Sequence, residues 1–256
     1  LNVDEHEAIV IKSKDNEYAG DIRIASSFFH EGITYRVTQI GDHTFEDCFK
    51  VRTITIPGSI VKTGYKSFMH LWGNPVVYLE SLEAFCRIEF GFNGNPLQYA
   101  EHVFLNGKQL LNLIIPGTIK KIKPYTFCGC DFKSVIIEEG VAHIEEGAFC
   151  SCSLGSVTLP DSLEIIAASS FEDCTNLTSI NIPDNVLSIG ERAFSGCKEL
   201  VSVLGGKNIK EIGKNAFDGC QNLEVLEITE NAEVIGESAF YDCRSIKAVI
   251  PPKLRR

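Results

Sequence analysis

Residues Leu177–Leu200 read LTSINIPDNVLSIGERAFSGCKEL, and most of the 256-residue chain is this unit written again. Its phenylalanine serves as a marker. The equivalent residues are Phe45, Phe68, Phe104, Phe127, Phe149, Phe171, Phe194, Phe217 and Phe240. Their spacings are 23, 36, 23, 22, 22, 23, 23 and 23 residues, so seven of eight intervals agree within one residue. A fixed period of this length signals stacked repeats, each burying its apolar face on its neighbours.

The core slots follow from offsets to the Phe. An isoleucine stands five before it, as at Ile40, Ile144, Ile166 and Ile189, with another apolar residue three earlier still, as at Val37, Val141, Leu163 and Val186. A cysteine follows three after it at Cys48, Cys130, Cys152, Cys174, Cys197, Cys220 and Cys243; Leu71 and Gly107 take that place elsewhere. Next comes an apolar pair at i, i+2, such as Ile54/Ile56, Val135/Ile137, Ile180/Ile182 and Leu226/Ile228, often closed by proline (Pro57, Pro116, Pro160, Pro183). The pair predicts a short strand with one buried face, ended by the proline. The segment around the Phe has mixed spacing and predicts a short helical or 3₁₀ turn. The fold class expected is an α/β solenoid: a right-handed, leucine-rich-repeat-like horseshoe. It would carry short parallel strands on the concave side and short helical turns or irregular segments opposite.

Residues 1–36 do not fit the unit. The β-branched runs Ala8–Ile11, Asp21–Ile24 and Ile33–Val37, separated by turn residues such as Asp15-Asn16 and Gly32, predict a β-rich N-terminal cap. Phe28 and Phe29 are expected to plug the first coil. The solenoid is then expected over 37–256 in about nine units. The long interval from Phe68 to Phe104 places an insertion near 81–96, SLEAFCRIEFGFNGNP, read either as a plug over a gap in the stack or as a binding loop. The chain opens on Leu1 and stops within a unit at Ile250-Pro251-Pro252, so a trimmed form that continues past Arg256 is expected.

A net charge of −10 argues against nucleic acid, which demands clustered Lys and Arg; Lys253, Arg255 and Arg256 form a small basic cluster read as a solvated end. No apolar run reaches the roughly 18–20 residues needed to span a bilayer, and no signal peptide pattern is seen. The seven slot cysteines are expected as buried hydrophobes. Cys86, Cys128 and Cys150 stand outside the slot and are expected as free thiols. Cys128-Gly-Cys130 and Cys150-Ser-Cys152 fall in adjacent coils, however. That leaves open a Cys128–Cys150 disulfide, if the Cα atoms lie within about 7 Å, and a zinc site, although C-x-C is not the usual zinc spacing.

The six histidines share no ligand spacing, and the hydrolase, metalloprotease and phosphate-loop motifs are missing. Glu46-Asp47, Glu172-Asp173, Asp218 and Asp242 recur just after the Phe and predict a solvated acidic edge, with a cation bridging adjacent coils as the alternative. No catalytic residue, metal or cofactor is expected. Residues flanking the buried pairs should face solvent on the strand face. The candidate ligand-facing set is Tyr78, Asn112, Ile114, Ser134, Ile136, Ser156, Thr158, Ser179, Asn181, Ser202 and Leu204, continued at Thr53/Thr55, Val225/Glu227 and Ala248/Ile250.

The pattern I-G-x-x-A-F-x-x-C-x-x-L-x-x-I-x-I-P, seen from Ile189 onward and in shifted copies, resembles the Treponema-type, or BspA-like, leucine-rich repeats. Asn95-Pro96-Leu97 through Phe104-Leu105-Asn106-Gly107, and Tyr35–Gly41 near the start, are also similar to stretches of those proteins. Ala167 in place of the usual glycine and Val203-Leu204-Gly205-Gly206 in place of an Ile-Pro strand end depart from the pattern. The resemblance implies a secreted or surface-attached bacterial protein of a type linked to adhesion, with a protein or glycan of host or neighbouring cells as partner and no catalytic residues to carry over. Some protozoa carry similar repeats. The runner-up expectations are a structural spacer in a larger surface protein and a hydrolase built around Cys86, His70 and His102.

Overall fold

The structure, a computed structural model, describes residues 5–13, 17–227 and 231–246. Asp15-Asn16, Ile228, Ala248/Ile250, Pro251-Pro252 and the Lys253/Arg255/Arg256 cluster lie outside the described residues. The chain forms two compact units, 1–110 and 111–256.

In unit 111–256 each coil contributes two parallel strands. The longer ones, Asn112–Ile115, Ser134–Ile137 and Ser156–Thr158, pair in register, as do Ser179–Ile182, Ser202–Gly205 and Val225–Leu226. Two-residue strands at the isoleucine slot, from Lys121–Ile122 to Val234–Ile235, form a six-stranded ladder of their own. Sequence periodicity missed this second ladder, because two residues are too short to show an alternation.

The segment between the ladders is not helical, which corrects the α/β expectation. Among the described residues there is one α-helix, Leu82–Arg87, and one 3₁₀ turn, Pro96–Tyr99. The reason lies in the backbone. Two positions per coil, two before and two after the Phe, take φ near +55 to +80; Ser169 (53°) and Asp173 (57°) flank Phe171, and Arg192 (56°) and Gly196 (74°) flank Phe194. A left-handed residue every fourth position forbids a continuing helix. It also turns alternate amides outward. Ser169, Phe171 and Asp173 donate to Glu191, Ala193 and Ser195 of the next coil, whereas Glu172 and Cys174 donate back three residues, to Ser169 and Phe171. Every backbone donor named here therefore has a partner, as burial requires.

The core is the repeated slots themselves. Phe127, Phe149, Phe171, Phe194, Phe217 and Phe240 stack with centroids 5.3–5.5 Å apart and planes within 13°. Cys152, Cys174, Cys197, Cys220 and Cys243 each donate a thiol hydrogen bond to the carbonyl of the Phe one coil back, at 2.9–3.2 Å. Burial pushes these thiols well up, Cys243 to about 11, so they remain protonated donors.

Unit 1–110 uses the same plan less regularly. Its longer strands run in the order Lys108–Gln109, His102–Leu105, Val76–Leu79, Lys50–Ile56, Ala19–Arg23. Its second sheet holds Glu7–Val10, Ile33–Ile40, Lys62–Thr63 and Glu89–Phe90, with Ser27–His30 folded back antiparallel on Ile33–Ile40. The N-terminal residues thus add rungs to both ladders, and the Tyr18 ring, 4.9 Å from Phe45, stands in line with the Phe stack. Phe28 and Phe29 are not a plug: both are exposed, Phe28 stacking on Tyr35 at 5.5 Å.

Phe104 is not a repeat marker either. It lies in the strand paired with Val76–Leu79, and its ring faces Tyr78 at 5.2 Å, while Val103 takes the buried slot. The long interval resolves into a 26-residue coil, Val77 to Val103, and a short hairpin that carries the chain from Val103 to Leu113 in ten residues. In the long coil the extra residues form the helix Leu82–Arg87, capped by Ser81 Oγ, which buries Phe85 and Cys86. Leu97 and Asn95 are buried beyond it.

Candidate functional site

Alternation along the longer strands decides which side chains leave the core. In unit 111–256 the outward set includes Asn112, Ile114, Ser156, Thr158, Ser179, Asn181 and Leu204, all exposed, with Ser134 and Ser202 half-buried. The parallel register lines them into columns. Asn112, Ser134 and Ser156 stand abreast, as do Ile114, Ile136 and Thr158. Ser179, Ser202 and Val225 continue the pattern, with Asn181 beside Leu204. Ser134 Oγ donates to Asn112 Oδ1 at 2.8 Å, tying the first two rungs. The aliphatic members keep much of their surface in water: Ile114 is 51 % exposed, Ile136 44 % and Leu204 37 %. A row of hydroxyl and amide groups beside an aliphatic column can hydrogen-bond and desolvate a ligand together.

The Leu204 rung loses the proline because Gly205 turns left-handed there (φ +74°), and a Cβ would stand 2.4 Å from the Ile182 carbonyl oxygen. Its amide donates to Glu227 Oε2 at 3.1 Å, which holds that carboxylate beside the face. Behind the corner of these coils a shallow depression of about 590 Å³ is lined by Glu164, Ile165, Asp184, Asn185, Leu187, Ser188 and Asn208. Asn185 and Asn208 spend their amides on the Asp161 and Asp184 carbonyls of the preceding coil (2.7 and 2.9 Å), so that corner is braced by side chains.

The face of unit 1–110 is chemically different. Tyr78 is half-buried against Phe104, and His102 Nδ1 is 3.1 Å from Gln109 Nε2. Asp21 accepts from Thr53 and Arg52 at 3.1 and 3.0 Å, and Arg23 lies 3.9 Å from Glu80. A depression of about 350 Å³ opens between Arg23, Thr55, Tyr78, Glu80 and Asn106.

The residues of the hydrolase alternative are not brought together. Cys86 is buried in its helix, and burial drives its thiol up to about 12, the opposite of a nucleophile's need. His70 bonds Asp47 Oδ1 at 3.1 Å and stacks on Trp72, whereas His102 lies on the strand face. Among the described residues no group of three or more His, Cys, Asp and Glu side chains is disposed to hold a metal ion.

Cys128 and Cys150 are disulfide-bonded, with Cα atoms 4.7 Å apart, rather than free thiols. Their slot partners Cys130 and Cys152 face the core as free thiols. The acidic edge is tied down as well as solvated: His43 Nδ1 donates to Glu46 Oε2 at 2.7 Å, Asp47 accepts from His70, Arg192 Nε donates to Glu172 at 2.8 Å, and Asp242 accepts from Arg244 and Gln221. Burial alone would raise the Glu172 carboxyl, but hydrogen bonds from Arg192 and Ser169 outweigh it and hold it below the usual range. Tyr125 donates to Glu146, and that bond, with burial, raises its phenol to about 12. Among the described residues no helix is long and apolar enough to cross a membrane.

The solved structures found similar include a leucine-rich repeat protein from Bacteroides ovatus (21% identity, 93% of this chain and 80% of that one, TM-score 0.48). A leucine rich cell surface protein from Faecalibacterium prausnitzii (18%, 89% and 91%, 0.47) and the leucine rich repeat protein of T. pallidum (19%, 98% and 87%, 0.40) are also among them. No curated protein matched. The model of the BspA type leucine rich repeat region matches six copies, over residues 25–83, 98–224 and 164–255. The chain, with its stacked Phe and Cys slots and parallel ladders, belongs to the BspA-type leucine-rich repeat family.

Proposed function

We propose that the chain is an interaction module of a secreted or cell-surface protein. It would bind a protein or glycan of host or neighbouring cells through the outward face of its longer strands. The observation that carries this reading is the aliphatic column Ile114–Ile136, with Leu204, left exposed in register beside a row of Asn, Ser and Thr. Exposed apolar rows rimmed by polar groups mark contact surfaces, and solenoids present them as rigid, extended faces. Family membership supports the surface location. The 81–96 segment supports a smaller part of the contact, since Phe85 and Cys86 are given to the core and Phe92 is left outside.

The test is a pull-down and a glycan array with the chain and with an Ile114→Lys/Ile136→Lys/Leu204→Lys variant. Binding should fall by at least about tenfold, because burying an unpaired ammonium is costly. Thermal stability should stay close to the parent's, as exposed sites tolerate substitution. Undiminished capture by the variant would remove the strand face from the reading and leave the spacer role as its competitor.

A further inference from the structure

The turn edge of unit 1–110 carries exposed aromatic rings that the strand face does not explain. Four residues after the Phe, where unit 111–256 places Asp131, Ser153, Thr175, Lys198, Gln221 and Arg244, this unit places Phe49 and Trp72. Trp72 is 61 % exposed and stacks on His70 at 5.4 Å, with Tyr99 edge-on at 6.3 Å. On the near side of the Phe a second row runs His43, Tyr65, Phe92, with centroids 5.6 and 5.8 Å apart; Phe92 is 65 % exposed. Neither row is needed for the core, which Phe45 and Phe68 already fill. Aromatic side chains held rigid in water are the usual anchors of an interface.

What they would hold follows from three facts. Lys66 Nζ already sits 5.1 Å from the Tyr65 centroid, so the row accepts a cation over a ring. The carboxylates Asp42, Glu46 and Asp47 belong to the same turn edge, and the whole chain carries −10. The rings stack on one another, with planes within 23° for Tyr65–Phe92 and 13° for His70–Trp72. Stacking covers one face of each ring, which leaves no broad platform for a flat sugar ring but still admits a cation, as Lys66 on Tyr65 shows. We propose that this edge is a docking surface for a basic polypeptide segment, whose arginine or lysine side chains lie against the two aromatic rows beside the carboxylates.

Trp72 is the only tryptophan in the chain and reports on the site directly. Titrating the intact chain with a short peptide alternating arginine and alanine should change Trp72 emission saturably, and the affinity should weaken as salt rises. The matching glutamate–alanine peptide should leave the emission unchanged. Tyr65→Ser/Phe92→Ser should weaken the arginine peptide by about tenfold. No saturable change, an equal response to the glutamate peptide, or undiminished affinity in a variant with the parent's melting temperature would overturn the proposal. So would a response to a neutral oligosaccharide in place of the peptide. The proposal overlaps the interaction-module reading only in Phe92. The strand-face lysine variant should leave this titration unchanged, so the two fail separately.

Discussion

Unit 1–110 and unit 111–256 are built from one repeat and differ in how strictly they keep it. In the later unit the Phe stack runs unbroken through six rings, and the thiol-to-carbonyl bond recurs in every coil from Cys152 to Cys243. In the earlier unit only Phe45 and Phe68 stack, Leu71 replaces the cysteine, and a helix is let into the third coil. Where the repeat is kept, each side chain has one role and its partner is the same residue type one coil away. Where it is broken, Trp72 and Phe92 stand exposed and Tyr78 and Phe104 half-buried, all outside the Phe stack. Regularity supplies the scaffold, and its interruption supplies chemical variety.

The largest expected test of this contrast is alkaline pH. Folded thiols with raised pKa stabilise fully below the unfolded value of about 9, and that stability is lost as pH rises above it. Each such group costs up to about 1.4 kcal/mol per pH unit. The later unit holds six free thiols and the earlier one two, so hydrogen exchange between about pH 9 and 11 should open the later unit first. Simultaneous opening would mean that the thiols do not divide the units. Next comes Phe171→Ala, which removes a ring sandwiched between Phe149 and Phe194 and should cost about 3–5 kcal/mol in denaturant unfolding. Phe68→Ala, with Phe45 as its one ring neighbour among the stacked phenylalanines, should cost less; equal losses would show that stacking adds nothing to burial.

Reducing the Cys128–Cys150 disulfide, or replacing both cysteines with serine, releases a link between residues 22 apart. It should cost the later unit about 3 kcal/mol and leave the exchange rates of the earlier one unchanged. The smallest effect belongs to Arg192→Ala. The ion pair with Glu172 is partly exposed, so about 0.5–1 kcal/mol is expected. The lowered Glu172 pKa makes that contribution present above about pH 4.5 and lost as pH falls through the folded value; a difference that persists at pH 2 would point to packing instead.

The fold was legible because a core slot repeated every 22 or 23 residues needs no long-range information. Ile189, Phe194 and Cys197 announce their burial by position alone. The strand face was legible for the same reason, since Ser179 and Asn181 alternate with Ile180 and Ile182. Three things were not. The turn segment looked helical because Phe and Cys three apart fit a helix, and a left-handed Ser169 or Arg192 carries no signal when the residue is not glycine. Phe104 was misread because a phenylalanine at nearly the right count is indistinguishable from a slot residue until strand pairing places it opposite Tyr78. The aromatic edge was invisible because Trp72 meets Tyr99, and Tyr65 meets Phe92, only across the lengthened coil. The disulfide was half legible: two residues before an inward cysteine, Cys128 and Cys150 had to point away from the core, but spacing alone did not bring them to 4.7 Å.

The alternate amides that reach from each coil to the next, as from Ser169, Phe171 and Asp173, all run the same way along the stack. Tension pulling the coils apart therefore loads them one coil at a time, like a zipper, rather than shearing all of them at once. Each coil that peels would pay out a contour length of about 80 Å, at roughly 3.5 Å per residue. Within the later unit the Cys128–Cys150 link would withhold one such length. Under tension such a chain would yield in steps of one coil each rather than all at once.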